Sequence, residues 1–260
     1  MHHATPRLVV KLGTGLLTQP GGTALDEEQF RRLTAEVAAL VAGGHQCIVV
    51  TSGAVAAGMS VLGLAERSAD TPTIQACAAI GQSRLMRVYE TNFARHGLAV
   101  AQLLLTHQDL DSRTRYANAQ NTLRRLLTHG GVVPIINEND SVAVEELRFG
   151  DNDKLSAEVA VLAEADLLVV LTSAEGLTQD GTGEGAPIPV VENVDEVLAL
   201  ASERKGRLST GGMTTKLQAV KRAVEAGIPA VIANGRTPGL LGKIVAGETV
   251  GTRFVVPADR

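Results

Sequence analysis

The 260-residue sequence is poor in the residues that bind nucleic acid or span a membrane. It has four Phe, two Tyr, no Trp and a formal net charge of −4, so it offers no stacking platform and no basic field. No apolar run approaches the roughly 20 residues of a membrane-spanning helix. The first six residues lack the apolar core of a signal peptide. We therefore expect a soluble chain with no nucleic-acid partner and no membrane partner.

Metal-binding and disulfide patterns are also missing. Cys47 and Cys77 are the only cysteines, each lies in an apolar stretch, and the six histidines are scattered. Two buried free thiols suit a reducing compartment. The sequence therefore predicts a cytoplasmic protein without a metal site built from cysteine or histidine.

The common phosphate-binding and hydrolase signatures are absent as well. Gly13-Thr14-Gly15 has no third glycine at dinucleotide spacing, and no Walker A pattern occurs. No histidine or acid gives Ser52 a triad context, which leaves it as a hydrogen-bond donor. A kinase with this sequence must be of another type.

Apolar runs alternate with amphipathic segments, which favours a parallel sheet covered on both faces. We predict an α/β fold, a three-layer α/β/α sandwich around a mainly parallel sheet. The predicted strands are Leu8–Leu12, Cys47–Thr51, Val100–Leu105, Val132–Asn137, Leu167–Thr172, Ala230–Ala233 and Arg253–Val256. The predicted helices are Phe30–Val41, Thr73–His96, Arg115–Thr128, Lys154–Glu164 and Lys216–Ala226.

Local signals refine this outline. Asp26 followed by Gln29 predicts a capping box before the first long helix. The polar, glycine-rich stretches Phe149–Asp153 and Thr178–Ala186 are predicted to be loops within one domain. We therefore expect residues 1–260 to form a single domain.

Four polar segments directly follow predicted strands. They are Lys11–Gly15, Ser52–Ala54, Asn137–Asp140 and Thr172-Ser173. The carboxyl ends of parallel strands are where such sheets bind ligands. Turns would explain Ser52-Gly53-Ala54 or Asn137–Asp140 taken singly, but their convergence predicts a site at which Asp140 meets a substrate ammonium.

Two lysines beside glycines suggest polyphosphate binding. Lys11 ends a buried strand, where an ammonium must either reach solvent or meet an anion. Lys216 follows Gly211-Gly212, which is either a surface loop or a phosphate-binding turn. Both alternatives stay open for Lys11, whereas a lysine just beyond a Gly-Gly turn favours phosphate binding at Lys216.

The acidic cluster Gly150–Asp153 is richer than a helix N-terminus requires. Asp153 is suited to orient both lysines, and Asn152 to bind substrate. Asp151 is suited to bind substrate or metal. Together with the lysines, the cluster suggests phosphoryl transfer.

Taken together, these segments resemble the bacterial glutamate 5-kinases of the amino acid kinase superfamily. The matching segments are Val10–Thr14, Val50–Ala54, Gly81–Leu85, Ile136–Asp140, Gly150–Asp153 and Thr210–Leu217. The resemblance runs from about Arg7 to Val256. It implies transfer of the γ-phosphoryl group of ATP, with Mg²⁺, to the side-chain carboxylate of L-glutamate, the first step toward proline.

The resemblance also implies roles for individual residues. Catalysis falls to Lys11, Lys216 and Asp153. Glutamate binding falls to Ser52, Gly53, Ala54, Asn137, Asp140, Asp151 and Asn152. ATP binding falls to Lys11, Gly13, Thr172, Ser173, Thr210, Gly211, Gly212, Met213, Thr214, Thr215 and Lys216.

Further expectations concern organisation and regulation. The part before about residue 165 is expected to bind glutamate and the part after it the nucleotide. We expect no C-terminal PUA domain, a homo-oligomer of two or four chains, and proline as a feedback inhibitor. Ser173 and Thr178 depart from relatives that often have Asp and Tyr there, which bears on nucleotide contacts.

Two alternatives remain. A sister kinase would act on acetylglutamate, aspartate or a nucleoside monophosphate, although Asp140 favours a free α-ammonium. A non-catalytic amino-acid sensor on the same fold would not need both lysines and Asp153.

Overall fold

The computed structural model describes residues 5–142, 151–178, 186–203 and 212–257, and only the backbone of Asp151 and of residues 200–203. Eight strands lie in these ranges: β1 (Arg7–Leu12), β2 (Gln46–Val50), β3 (Ala99–Leu105), β4 (Val132–Glu138), β5 (Leu167–Thr172), β6 (Val190–Val191), β7 (Ala230–Asn234) and β8 (Thr252–Phe254). The helices are α1 (Thr14–Leu17), α2 (Glu27–Ala42), α3 (Ala54–Leu62), α4 (Thr71–Ala94), α5 (His107–Asp111), α6 (Arg113–His129), α7 (Asp151–Leu162), α8 (Val194–Glu203), α9 (Met213–Glu225) and α10 (Leu240–Val245).

The described strands form one sheet in the order β3-β4-β2-β1-β5-β7-β8-β6. Every neighbouring pair is parallel except β7 and β8. All seven predicted strands are confirmed, with ends shifted by one or two residues at most. The sheet is therefore mainly parallel, as the continuous apolar runs predicted.

Helices cover both faces of the sheet. Along β1, Val9 packs in a core with residues of α6, α7 and α9, whereas Val10 packs in a second core with residues of α2 and α4. Successive side chains of a strand point to opposite faces, so a continuous apolar strand feeds two cores. The predicted three-layer sandwich is confirmed.

Two helix starts differ from the prediction in a way that matters for the site. Helix α7 begins at Asp151 and α9 at Met213, so each starts three residues earlier than predicted. The prediction of a loop through Asp153 is therefore wrong for Asp151–Asp153, which form the first turn of α7. Acidic side chains suit this position because the N-terminal end of a helix carries partial positive charge.

The predicted capping box at α2 is half correct. The Asp26 carboxylate accepts a hydrogen bond from the Gln29 N–H at 3.1 Å. The Gln29 side chain does not return the bond, because its amide donates at 2.9 Å to the Gly235 carbonyl. A tertiary hydrogen bond to Gly235 thus occupies the Gln29 side chain, which a capping box would direct to the Asp26 N–H.

Helix α3 was not predicted, and it begins in the turn that follows β2. Gly53 has a φ of 100°, a left-handed conformation that glycine adopts without strain. Helix α4 passes so close that a Cβ at Gly81 would collide with the Ala54 carbonyl oxygen. The apolar sequence of α3 lacks a polar face, which is why periodicity did not reveal it.

Within the described ranges, no helix combines the length and apolar character needed to cross a bilayer.

Candidate active site

Four neighbouring parallel strands, β4, β2, β1 and β5, end at the same edge of the sheet. The polar segments after these strands therefore lie side by side, as the sequence predicted. Leu12 is opposite Leu171 in the register of β1 and β5, so Gly13 and Thr172 are neighbours. This edge is the candidate active site.

One buried carboxylate at this edge joins the two predicted lysines. Lys11 Nζ lies 2.5 Å from Asp153 Oδ1, and Lys216 Nζ lies 3.3 Å from Asp153 Oδ2. The side chains of Asp153 and Lys11 are 2% and 6% exposed, and that of Lys216 is 12% exposed. Residues far apart in sequence thus meet at one point, on β1, α7 and α9.

The electrostatics of this cluster are those of a buried ion group. Burial would raise the pKa of Asp153, but Lys11 and Lys216 hold that pKa below its ordinary value, so the carboxylate is ionised. Burial lowers the pKa of Lys11 from its ordinary value, although Asp153 opposes the shift. Among the three side chains, two ammonium groups face one carboxylate and one positive charge is in excess. A buried excess of positive charge favours the binding of an anion.

The first turns of α7 and α9 fix the cluster. Thr215 Oγ1 donates to Asp153 Oδ2 at 2.8 Å, and Lys216 Nζ donates to the Gly212 carbonyl at 3.1 Å. Ser156 Oγ donates to the Asp153 carbonyl at 2.6 Å. The predicted nucleotide-binding residues Thr210 and Gly211 lie outside the described residues.

Gly13 lies beside this cluster. A Cβ placed on Gly13 would lie 3.4 Å from Lys11 Nζ. A side chain there would therefore cover the ammonium group, which glycine leaves open to a ligand. On the neighbouring strand β5, the last residue, Thr172, is half-buried, and Ser173, which follows it, is exposed.

Asn152 provides an unsatisfied polar atom next to Asp153. Its Oδ1 is buried and has no hydrogen-bond partner within the described residues. Buried polar atoms are nearly always paired, so an unpaired one in a candidate site is a candidate ligand contact. The Asp151 side chain, predicted to bind substrate or metal, lies outside the described residues.

A cavity of about 230 Å³ opens on the other side of the strand ends. Its lining includes Ala54, Asp140 and Asn139 from the predicted segments, together with Gln82 and Gln102. Its volume and its polar groups suit a small polar molecule. Asp140 also has a contact within the protein.

Gln82 and Gln102 were not predicted to belong to the site. Gln82 Oε1 accepts from Asn137 Nδ2 at 2.9 Å, and Gln82 Nε2 donates to Gln102 Oε1 at 3.1 Å. Asn137 Oδ1 accepts from the Glu138 N–H at 2.9 Å. Asn137 is thus bound within the protein, and its direct contact with a substrate stays a prediction. Gln82 lies in the matching segment Gly81–Leu85, which was the available signal.

Metal ligands are not clustered in the described part of the chain. No group of three or more His, Cys, Asp or Glu side chains is placed there to hold a metal ion. Both oxygens of Asp153 already face ammonium groups.

Comparison with known proteins gives the site a context. A model of the amino acid kinase family matches residues 6–234. The chain is similar to the glutamate 5-kinase of Myxococcus xanthus, with 49% identity over 98% of this chain and 68% of the relative. It is similar to the glutamate 5-kinase of Thermus thermophilus, with 49% identity over 95% of this chain and 67% of the relative. The chain thus spans about two thirds of the length of these relatives.

Among solved structures, the chain resembles a carbamate kinase from Giardia lamblia bound to AMP-PNP. The TM-score is 0.67 at 15% identity, over 97% of this chain and 99% of that chain. At this identity, the likeness establishes the fold alone.

Proposed function

The chain belongs to the amino acid kinase family, and we propose that it transfers the γ-phosphoryl group of ATP to the side-chain carboxylate of L-glutamate. The product is L-glutamyl 5-phosphate, and the reaction is the first step of proline biosynthesis. The observation that carries the proposal is the buried cluster of Lys11, Asp153 and Lys216, which holds one positive charge in excess. Relatives that are 49% identical and named glutamate 5-kinase support the choice of glutamate.

The lysines address the main barrier of this reaction, which is the approach of an anion to a polyanion. Lys11 and Lys216 bind phosphate oxygens and neutralise charge that builds up as the phosphoryl group moves. Asp153 keeps the two ammonium groups close together before the nucleotide binds. Gly13, Thr172, Ser173 and residues 210–215 complete the nucleotide site in this proposal.

The acceptor needs positioning more than activation. A side-chain carboxylate is ionised at pH 7, so no general base is required. Its oxygen forms a bond to the γ-phosphorus while the bond from that phosphorus to the bridging oxygen of ADP breaks. Ser52–Ala54, Asn137, Asp140, Asp151 and Asn152 hold glutamate in this proposal.

Magnesium enters as part of the substrate, MgATP. The oxygens of Asp153 face Lys11 and Lys216, so this carboxylate is not available as a metal ligand. Mg²⁺ commonly binds through phosphates with one or two carboxylates, and Asp151 is the candidate carboxylate.

The remaining proposals concern the two halves of the chain, its location, its oligomeric state and its regulation. The part before about residue 165 binds glutamate, and the part after it binds the nucleotide. Buried free thiols at Cys47 and Cys77 support a reducing, cytoplasmic location. We also propose a homo-oligomer of two or four chains and competitive inhibition by proline. Light scattering and initial rates at several proline concentrations test these two points.

Acceptor screening tests the function directly. Purified protein is mixed with ATP, Mg²⁺ and either glutamate, acetylglutamate, aspartate or UMP, with and without hydroxylamine, which traps an acyl phosphate as a hydroxamate. We expect glutamate-dependent ADP release and hydroxamate formation. Turnover with another acceptor instead would assign a sister kinase. Glutamate binding without any turnover would assign a sensor.

A further inference from the structure

A pair of buried hydroxyl groups lies behind the turn that starts α3. Tyr89 Oη is 2.7 Å from Thr51 Oγ1, and Thr51 Oγ1 donates to the Ser52 carbonyl at 3.1 Å. Tyr89 and Thr51 are 1% and 0% exposed. The pair thus connects the C-terminal part of α4 with the segment between β2 and α3.

The direction of these hydrogen bonds follows from the number of protons. The Thr51 hydroxyl has one proton, and it is donated to Ser52. Thr51 must therefore accept from Tyr89, which donates its phenolic proton. Burial raises the pKa of Tyr89 well above its ordinary value, despite the contact with Thr51, so this proton is retained.

Aromatic packing fixes the donor in place. The ring of Tyr89 meets Phe30 edge-on at a centroid distance of 5.0 Å and stacks on Phe93 at 6.3 Å. A phenylalanine would fill the same space without a polar atom to satisfy. The hydroxyl group therefore needs a reason beyond packing, and its contact with Thr51 supplies one.

The bond to Ser52 sets the orientation of one peptide plane. In a trans peptide, the Ser52 carbonyl and the Gly53 N–H point in opposite directions. A carbonyl held by Thr51 therefore turns the Gly53 N–H away from the core. Gly53 precedes the first residues of α3, whose amides have no partner within the helix before the bond from Ala57 to Gly53.

We propose that Tyr89, acting through Thr51, is a positioning residue that orients the Ser52–Ala54 turn for binding of the acceptor amino acid. This inference rests on the proposed function, which assigns that turn to glutamate. Tyr89 lies in the core that α2 shares with α4, and its hydroxyl contact leads to Thr51 and the acceptor turn rather than to a proposed nucleotide residue.

The test compares substitutions that remove the hydroxyl groups with one that disturbs only packing. Tyr89→Phe and Thr51→Val delete one hydroxyl each, and Thr51→Ser keeps it. Phe93→Leu is the matched control, because it alters the neighbouring ring without touching the hydrogen bonds. Thermal unfolding and the KM values for L-glutamate and ATP are measured for every variant.

We expect Tyr89→Phe and Thr51→Val to raise the KM for L-glutamate about threefold to tenfold, the equivalent of one lost hydrogen bond. The KM for ATP should stay within about twofold, since the turn lies away from the proposed nucleotide residues. The double variant should be no worse than Thr51→Val, because both act through one contact. Thr51→Ser should resemble the wild type, and Phe93→Leu should lower the unfolding temperature without a selective change in KM.

An unchanged KM for glutamate in Tyr89→Phe would overturn the proposal, as would equal shifts of both KM values. If the wild type phosphorylates another acceptor, the proposed function fails and the same comparison is made with that acceptor. If the wild type phosphorylates none of the acceptors, the test is the rate of hydrogen exchange in the peptide covering residues 51–59. Exchange faster in Tyr89→Phe than in Phe93→Leu supports the proposal, and equal exchange contradicts it.

Discussion

The two ends of the candidate site are built from different kinds of groups. The end proposed for the nucleotide consists of formal charges, Lys11, Asp153 and Lys216, buried against each other. The end proposed for the acceptor has amides and hydroxyls around its cavity together with two carboxylates, Glu138 and Asp140, and its amides include Gln82 and Gln102. A polyanion requires charge to bind, whereas a small amino acid requires direction and shape. In the proposed assignment these two tasks are divided between the two ends, with Asp151 and Asn152 next to Asp153 at the start of α7.

The largest expected effect tests the charged end through stability. Asp153→Asn leaves the buried ammonium group of Lys11 and the half-buried one of Lys216 without a countercharge, and we expect a loss of about 3–5 kcal/mol in the free energy of unfolding. Urea denaturation measures it. Asp195→Asn breaks the exposed ion pair with Lys221 and should change stability little. Equal effects of the two substitutions would contradict the account of the charged end.

The next prediction concerns turnover. Lys11→Ala or Lys216→Ala removes a cation proposed to stabilise the transferring phosphoryl group, so kcat should fall at least ~100-fold. A coupled ADP assay measures this at saturating glutamate and ATP. Lys243→Ala, at an exposed lysine of α10, is the control and should keep wild-type kcat. Near-normal turnover of both lysine variants would remove the cluster from the mechanism.

A third prediction uses acid to weaken the charged end. The pKa of folded Asp153 lies below the ordinary value of 3.8 because of Lys11 and Lys216, despite its burial. The stability that this shift supplies is present above the unfolded pKa and is lost as the pH falls through the folded pKa. Wild-type unfolding free energy should therefore fall more steeply than that of Asp153→Asn between about pH 5 and about pH 2. Parallel curves would show that the carboxylate is not held ionised by the lysines.

The smallest effect is expected at the acceptor end. Gln82→Ala deprives the Asn137 amide of its acceptor and changes the cavity wall, so the KM for glutamate should rise about threefold to tenfold. The KM for ATP should change less. Gln218→Ala, at an exposed glutamine of α9, is the matched control. A selective rise in the KM for ATP would contradict the assignment of Gln82 to the acceptor end of the site.

The same contrast explains what could be predicted from the sequence. Lys11 could be identified because a lysine at the end of an apolar strand needs a partner. Asp153 and Lys216 could be identified because each follows a glycine by a few residues in the sequence. Continuous apolar strands revealed the sheet, so the meeting of the strand ends could be inferred before the structure was known.

Neutral positioning groups could not be found in this way. Tyr89 and Gln82 lie on α4 at positions that periodicity alone assigns to an ordinary helix, and their partners are 38 and 55 residues away in sequence. Helix α3 was missed because its residues are apolar on all sides. The early start of α7 was missed because its first turn is polar and follows a glycine, a pattern that loops share.

Ligand titration of two variants tests the separation of the two ends most directly. Wild type, Lys216→Ala and Gln82→Ala are each titrated by calorimetry with L-glutamate and with the magnesium complex of AMP-PNP. The account predicts that Lys216→Ala weakens nucleotide binding and leaves glutamate binding near the wild-type value. Gln82→Ala should weaken glutamate binding and leave nucleotide binding near the wild-type value. Weakening of the same ligand by both variants would contradict it.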